Sequence, residues 1–414
     1  MTVDLLVIGA GAAGIAAARA ALAAGRSVRV LEARDRVGGR ALTDHSLGVP
    51  FDLGATWLHA AEQNPLVPLA PTVGVALVDS DALRNEITFA GMRPVTPAED
   101  AAYGVAWNAF EAAIEARAAR GPDIPAADAA PSGGPWDATI AAWQGEVIAA
   151  APLAAISLHD FAATLLEGGN RLPEGGMGAL LERLGAGLPV TLSAPVATLR
   201  WGGAEAVAEG PFGTLRARAV ICTLPTPLLS AGAIRFDPAL PAEVMQAAHD
   251  LPLGRAIKVG LHAAGEDRLG LPAHTSTDRQ VRPGEAMVPI TFWPRSQPIA
   301  HGWIGAGVAP DIEREGPAAA EALMREEIAK RLGHDAPRAF RPGALVSAWG
   351  TDPLARGVYS HARVGAAGAR AVLAAPLAGG RLVFAGEACH PTLAGTVGGA
   401  WLSGEAGAGI ALAA

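Results

Sequence analysis

The chain has 414 residues, half of them hydrophobic and 17% charged, with a formal net charge of −8 at pH 7. That length exceeds one ordinary core and predicts two domains sharing an interface, and the composition excludes a disordered chain. The acidic balance argues against a nucleic-acid partner, whose usual footprint is a basic stripe, and weakly favours a cationic small molecule.

Cys222 and Cys389 are the only cysteines. They give no disulfide framework and no cysteine-rich metal site, and they fit a reducing cytoplasm. The apolar stretch 5–18 lacks a basic leader and holds glycines at structured spacing, so it is read as fold rather than signal peptide. No stretch approaches the uncharged ~20 residues of a membrane span. The expectation is a cytoplasmic enzyme with no membrane partner.

The chain opens as strand, tight turn, helix and strand. Residues 3–8 form a short apolar run suited to a buried parallel strand, and Gly9, Gly11 and Gly14 follow. An alanine-rich helix is expected over 12–24, closed by Gly25, and a second strand over 27–31 ends on Glu32. In this setting each glycine has a physical task. Gly9 permits the turn, Gly11 lets backbone approach a pyrophosphate, and Gly14 lets helix and strand pack closely. The helix N-terminus, with Ala13 in its first turn, offers free N–H groups to phosphate oxygens. Glu32 can accept hydrogen bonds from ribose hydroxyls and repels a 2′-phosphate.

Residues 97–142 read as helical, interrupted by a Gly/Pro loop over 121–135. Strands or strand exits are expected over 190–199, 215–223, 224–229, 256–262, 287–293 and 381–386. Helices are expected over 318–332 and from Thr396 onward. His159-Asp160 reads as a helix start. No serine-hydrolase elbow, zinc-protease or P-loop pattern is present.

The run after Glu32, with Ala33, Arg34, Arg36, Gly38, Gly39 and Arg40, resembles the pattern shared by FAD-dependent amine oxidases, phytoene desaturases and protoporphyrinogen oxidases. Its double glycine extends the phosphate site and Arg40 can neutralise it. Further stretches resemble the flavin amine oxidases, including polyamine oxidases, monoamine oxidases and histone lysine demethylases. The stretch 51–59, with Gly54, Ala55, Thr56, Trp57 and His59, is similar to the polyamine oxidase segment beside the isoalloxazine ring. Val196, read as lying in a strand after Pro195, matches the position whose backbone holds adenine. Around 349–360, Trp349 and Tyr359 resemble a substrate-side strand, with Tyr359 as one wall of an aromatic cage. Gly386, Glu387, Thr396 and Val397 resemble the C-terminal flavin motif, with Glu387 meeting ribityl or phosphate-side hydroxyls and the helix start facing the flavin N1/O2 edge.

Lys258 lies on an expected strand with apolar neighbours, pointing into a pocket or snorkelling outward. The resemblance implies the former, with the ammonium holding a water that faces flavin N5. Val358 stands where monoamine oxidases carry their flavin-linking cysteine, which implies non-covalent FAD. Thr396 replaces a second cage tyrosine, as in animal polyamine oxidases, and Gly398 replaces a histidine. His59 is read either as a substrate contact or as a capping residue, and Tyr359 as a cage wall or an ordinary buried tyrosine.

The resemblance therefore implies an α/β fold: a two-dinucleotide-binding-fold FAD domain over 1–72, 173–240 and 379–414, and a mixed-sheet and helical substrate domain over 73–172 and 241–378. It implies oxidation of a small amine, polyamine-like, with dioxygen as acceptor. The alternatives are a carotenoid desaturase-like or porphyrinogen oxidase-like enzyme, an amine dehydrogenase using another acceptor, and a flavin-bearing binding protein without turnover. Glu62, Asp79 and Asp81 are nominated as carboxylates for a distal ammonium group by their closeness to 51–59.

Overall fold

The computed structural model of the protein describes residues 2–414. Its first sheet has eight strands, in the order Arg235–Asp237, Thr198–Arg200, Ala206–Gly210, Gly213–Cys222, Thr2–Ile8, Val28–Leu31 and Val190–Thr191, with Leu382–Phe384 also paired to Gly213–Cys222. Its centre is parallel: Thr2–Ile8 runs beside Gly213–Cys222, with Ile8 opposite Cys222, and beside Val28–Leu31. The carboxyl halves of the two central strands, Leu5–Ile8 and Ala219–Cys222, are buried on both faces, which is why they read as unbroken apolar runs. The carboxyl ends of all three strands converge at Gly9, Glu32 and Thr223, where open parallel sheets bind their ligands.

One side of this sheet is covered by the helix Ala12–Ala23 packed on the last helix, Val397–Ala413. Both are rich in alanine and glycine, so their axes approach closely. A Cβ at Gly404 would lie 2.1 Å from the Ala13 carbonyl oxygen.

The second sheet has seven strands, in the order Phe340–Val346, Ile257–Ala263, Ile299–Ile304, Ile290–Phe292, Thr275–Arg279, Asn85–Ala90 and Arg93–Pro94. Alternation decides its two faces. Val259 and Leu261 turn toward the helix Pro317–Leu332, through Met324 and Ile328. Lys258, His301, Trp303, Thr291, Ser276 and Asp278 turn the other way, into a cavity. A third group of helices, with Phe110, Ile114, Trp136, Ile140 and Phe161 in its core, closes over that cavity.

Three expectations are corrected locally. Val196 is not in a strand: the expected run 190–199 breaks into Val190–Thr191 and Thr198–Arg200. Pro195 has no N–H to give a ladder, and Ser193 at φ +53 turns the chain so that Ser193 and Ala194 bond back to Arg34 and Glu32. The exit 224–229 becomes a short helix, Thr226–Ser230, with Pro225 and Pro227 at its start. The stretch 349–360 is a succession of turns rather than a strand. Asp352 takes the Leu354 N–H on its side chain, and Pro353 cannot donate. No described helix is long and apolar enough to cross a membrane.

Candidate functional site

The two sheets enclose a cavity of about 1280 Å³. That exceeds the roughly 300–1,000 Å³ typical of a pocket for one small ligand, and is room for a dinucleotide with a second molecule beside it. The cavity begins at the glycine turn. Gly9 has φ +101, and a Cβ there would lie 2.3 Å from Thr223 Oγ1. Among the residues nominated for the cofactor, Gly14 alone does not line the cavity. It sits behind the turn, where a Cβ would fall 1.9 Å from the Gly9 carbonyl oxygen. Gly11 differs from both: the nearest atom to its added Cβ is Gly39 Cα at 3.8 Å, so the space in front of it is open to the cavity. A cradle that only a ligand would fill is what a pyrophosphate at a helix N-terminus requires.

Glu32 closes the far side of this cradle. Its carboxylate accepts from Ala10 N at 2.7 Å and Arg34 N at 2.8 Å, leaving further lone pairs for hydroxyls. Ala33 and Val196 flank it on the cavity wall. Arg34 turns away to form a two-pronged pair with Asp352 at 2.9 Å and lies 5.9 Å from the Trp349 ring. Trp349 in turn donates to the Leu53 carbonyl at 2.7 Å. Arg36 staples the double-glycine loop by donating to Val37 O and Gly39 O.

Arg40 and Glu387 prove to be partners. Arg40 Nη1 donates to Glu387 Oε1 at 3.0 Å and to Val358 O at 2.7 Å, while its Nη2 and Nε bond to nothing among the described residues. Glu387 Oε2 is taken by Ser360 Oγ at 2.7 Å, Ser360 N at 3.3 Å and Gly395 N at 2.9 Å. Burial alone would raise the Glu387 carboxyl, but Arg40, Arg370, the Ser360 hydroxyl and the Gly395 N–H bring it below its ordinary value. It is thus a brace joining Arg40, Ser360 and the loop before the last helix, while Oε1, with Arg40 as its one donor, keeps acceptor capacity on the cavity wall.

Thr396 is likewise committed. Its hydroxyl donates to Leu393 O at 2.7 Å and accepts from Gly399 N at 2.9 Å, capping the helix Val397–Ala413. The helix start at Thr396 and Val397, with Gly386 nearby, faces the cavity. Gly398 is glycine because Asn64 fills the adjacent space: a Cβ there would lie 2.8 Å from Asn64 Nδ2.

The centre of the cavity is Lys258. Its Nζ donates to the Gly54 carbonyl at 2.5 Å and to the Thr56 hydroxyl. It lies 5.5 Å from the Trp57 ring centroid and 5.4 Å from that of Trp303. Gly54 cannot be larger, since a Cβ would strike the Arg40 carbonyl at 1.7 Å, and Ala55 follows it along the wall. Burial lowers the lysine to about 8, opposed by the nearby Asp52 carboxylate. The same burial raises Asp52, so both members of the pair move toward neutrality. Lys258 therefore points inward, the first of its two expected orientations.

His59 Nδ1 lies 2.6 Å from Asn170 Oδ1, and its ring sits 6.0 Å from Trp57. It is a wall of the cavity and not a helix cap, and burial lowers its pKa. Tyr359 packs its ring on Gly395 and donates its hydroxyl to Val147 O at 3.1 Å. His301 was missed in the sequence. Its ring is stacked on Trp57 at 6.3 Å, and burial followed by the Lys258 charge pushes it down to about 3. Trp303, Trp143, Tyr103 and Asp278 were missed as well, because only the register of the second sheet and the covering helices bring them to the cavity.

Glu62, Asp79 and Asp81 do not reach the cavity, which corrects their nomination. Glu62 accepts from Gly169 N, Asp79 caps the turn at 80–83, and Asp81 holds Asn170 and pairs with Arg84. Closeness in sequence to 51–59 put them on the outer rim, where short carboxylates bind backbone N–H groups. The helix start expected at His159-Asp160 is present, as Leu158–Ala163 capped by Ser157, and Asp160 forms a buried pair with Arg370 at 2.6 Å.

Comparison with known proteins agrees with this geometry. The family model described as flavin containing amine oxidoreductase matches residues 12–412. Polyamine oxidase 4 of Oryza sativa subsp. japonica is 30% identical, over 98% of this chain and 88% of its own. Polyamine oxidase 2 of Arabidopsis thaliana is 28% identical, over 97% and 86%. Among solved structures, a putrescine oxidase bound to putrescine superposes with a TM-score of 0.82 at 21% identity over 100% of both chains. Cyclohexylamine oxidase from Brevibacterium oxydans gives 0.76 at 20% identity, over 100% of this chain and 99% of its own. The chain belongs to the flavin-containing amine oxidoreductase family and is an FAD-dependent enzyme acting on amines.

Proposed function

We propose that the protein oxidises a polyamine-like substrate at a carbon beside nitrogen, giving an imine that water hydrolyses to an aldehyde or ketone and an amine. Two electrons leave the substrate and reduce dioxygen to hydrogen peroxide. FAD, when bound, supplies the two-electron acceptor. The observation that carries the reading is Lys258, a buried cation between two indole faces, anchored by the Gly54 carbonyl and Thr56 hydroxyl. The polyamine oxidases among its relatives support the substrate class.

In this reading the chain's own residues divide the work. The turn at Gly9, Gly11 and Gly14, Ala13, Glu32, Ala33, Arg34, Gly39, Arg40 and Val196 hold the dinucleotide. Gly54, Ala55, Thr56, Trp57, Trp349, Gly386, Glu387, Thr396 and Val397 shape the flavin's surroundings. His59, Tyr359 and Thr396 bound the substrate space, and Lys258 holds a water and keeps a positive charge where oxygen is reduced. Attachment of FAD is non-covalent, because Val358 carries no nucleophile and both cysteines are buried elsewhere. The parts of the chain over 1–72, 173–240 and 379–414 act as the cofactor domain, and 73–172 with 241–378 as the substrate domain. A cytoplasmic location is supported by two unpaired thiols.

An oxygen electrode tests the acceptor. With a polyamine as substrate, oxygen uptake and peroxide release should match one to one. Aldehyde formation without oxygen uptake, sustained only by an added quinone or dye, assigns the enzyme as a dehydrogenase instead.

A further inference from the structure

The cavity face of the second sheet has a second polar pole besides Lys258. The strand register sets it. Lys258 pairs with Trp303, Trp303 N bonds Pro289 O, and the Thr277–Ile290 pairing brings Asp278 opposite Pro289. These four residues form one row across four strands, and all four line the cavity. Neighbouring strands lie about 4.8 Å apart, so the row spans roughly 14 Å between the backbones of Lys258 and Asp278.

Asp278 is 8% exposed. Its Oδ2 accepts from Trp143 Nε1 at 2.7 Å and from Tyr103 Oη at 3.2 Å. Its Oδ1 accepts from no described residue, nor is it sealed from the cavity. No cation among the described residues pairs with it. Arg331 feels its charge from behind the sheet but bonds Glu327 and the Val288 carbonyl. Arg279, its neighbour in sequence, points to the opposite face and pairs with Glu327 and Glu285. Burial and the charges of Asp278, Glu86 and Asp100 all raise Tyr103, so this end of the cavity is negative. Trp107 and Trp143 supply aromatic faces there.

A buried carboxylate with one oxygen open, no counter-cation and indole and phenol faces around it is matched by an organic ammonium group. We propose that Asp278, with Trp143 and Tyr103 fixing its orientation, receives the remote ammonium of a linear di- or polyamine while the carbon to be oxidised lies near Lys258. The proposal rests on the amine-oxidation reading and specifies which residue selects a second positive charge.

The test compares linear alkyl monoamines with α,ω-diamines of equal carbon number, and spermidine, as reductants of the FAD-loaded enzyme under anaerobic conditions. In the wild type, the half-saturating concentration should be at least about 10-fold lower for the longer diamines and spermidine than for the monoamines, since a charged hydrogen bond in a dry site contributes that much. Asp278→Asn keeps the acceptor for Trp143 and Tyr103 but removes the charge. It should raise half-saturation for diamines and spermidine about 10- to 100-fold, with limiting reduction rates and monoamine kinetics nearly unchanged. Asp278→Glu should recover part of the loss. Equal use of monoamines and diamines by the wild type overturns the proposal without any variant. So does an Asp278→Asn enzyme that loses monoamine and diamine reduction alike. Reduction by no amine at all overturns the amine-oxidation reading and this assignment with it.

Discussion

Lys258 Nζ donates to the Gly54 carbonyl at 2.5 Å, tying the strand Ile257–Ala263 of one sheet to the segment that follows the phosphate loop of the other. Together with the lysine's bond to the Thr56 hydroxyl, it fixes the ammonium at the junction of the two sheets. Its burial lowers the lysine from 10.5 to about 8. A charge held in so dry a place acts strongly on chemistry beside it.

Lys258→Met should slow reoxidation of the reduced enzyme by air at least about 10-fold, the scale of losing one preorganised electrostatic group. In the wild type, reoxidation should fall as pH rises through about 8, because the positive charge is lost there. The methionine variant should show no such break. Stopped-flow reoxidation across that interval checks both.

The same shift has a stability sign. The folded value, about 8, lies below the ordinary 10.5, so between them the unfolded chain holds the proton and the folded one does not. Stability contributed by this group therefore rises with pH through that window. Denaturant midpoints of wild type and Lys258→Met, measured on both sides of pH 8, should differ in slope in that direction.

Gly11 and Gly14 should separate cofactor binding from folding. Gly11→Ala leaves a methyl with its nearest protein atom at 3.8 Å, so thermal stability of the FAD-free chain should change by less than about 1 kcal/mol. The methyl occupies the cradle, and FAD affinity should fall at least about 10-fold, or roughly 1.4 kcal/mol. Gly14→Ala meets the Gly9 carbonyl at 1.9 Å and should fail to give a stable chain. FAD titration and thermal unfolding measure the two.

Glu387→Gln should destabilise the protein. It takes the negative charge from the largely buried Arg40, and breaking a buried ion pair in this way costs about 3 kcal/mol. For a chain of 414 residues that lowers Tm by roughly 3–4 °C. Loss of bound FAD should accompany it, because Arg40 and the loop before Thr396 are braced by the same carboxylate.

The FAD should leave intact on denaturation. Val358 offers no thiol, while burial pushes Cys222 and Cys389 up to about 12 and keeps them neutral. Acid precipitation followed by absorbance of the supernatant and pellet should recover the flavin in solution. Yellow colour retained in the pellet after washing would show a covalent link.

The glycine turn of the cavity was legible in the sequence because its signal is local. Gly9, Gly11, Gly14 and Glu32 lie on one strand–turn–helix–strand unit, and their spacing alone carries the geometry. The substrate half was not. Thr275–Arg279 pairs with Asn85–Ala90 across nearly half the chain, and nothing near Asp278 announces that it shares a row with Lys258. Parity along the segment 274–279 would have put Ser276 and Asp278 on one face, but only the register says which face meets the lysine. Glu62, Asp79 and Asp81 were misplaced for the converse reason, as nearness along the chain was taken for nearness in space. Glu387 and Thr396 were recognised as positions, but their bonds to Arg40 and Ser360 and to Leu393 and Gly399 follow from the folded loops and not from sequence spacing.

The most direct test is anaerobic titration of the purified yellow protein with amines, followed by admission of air. A polyamine should bleach the flavin absorbance stoichiometrically, and air should restore it with release of one peroxide per flavin. A flavin that stays oxidised with every amine offered, or is bleached only by a hydrophobic polyene or porphyrinogen, would contradict amine oxidation.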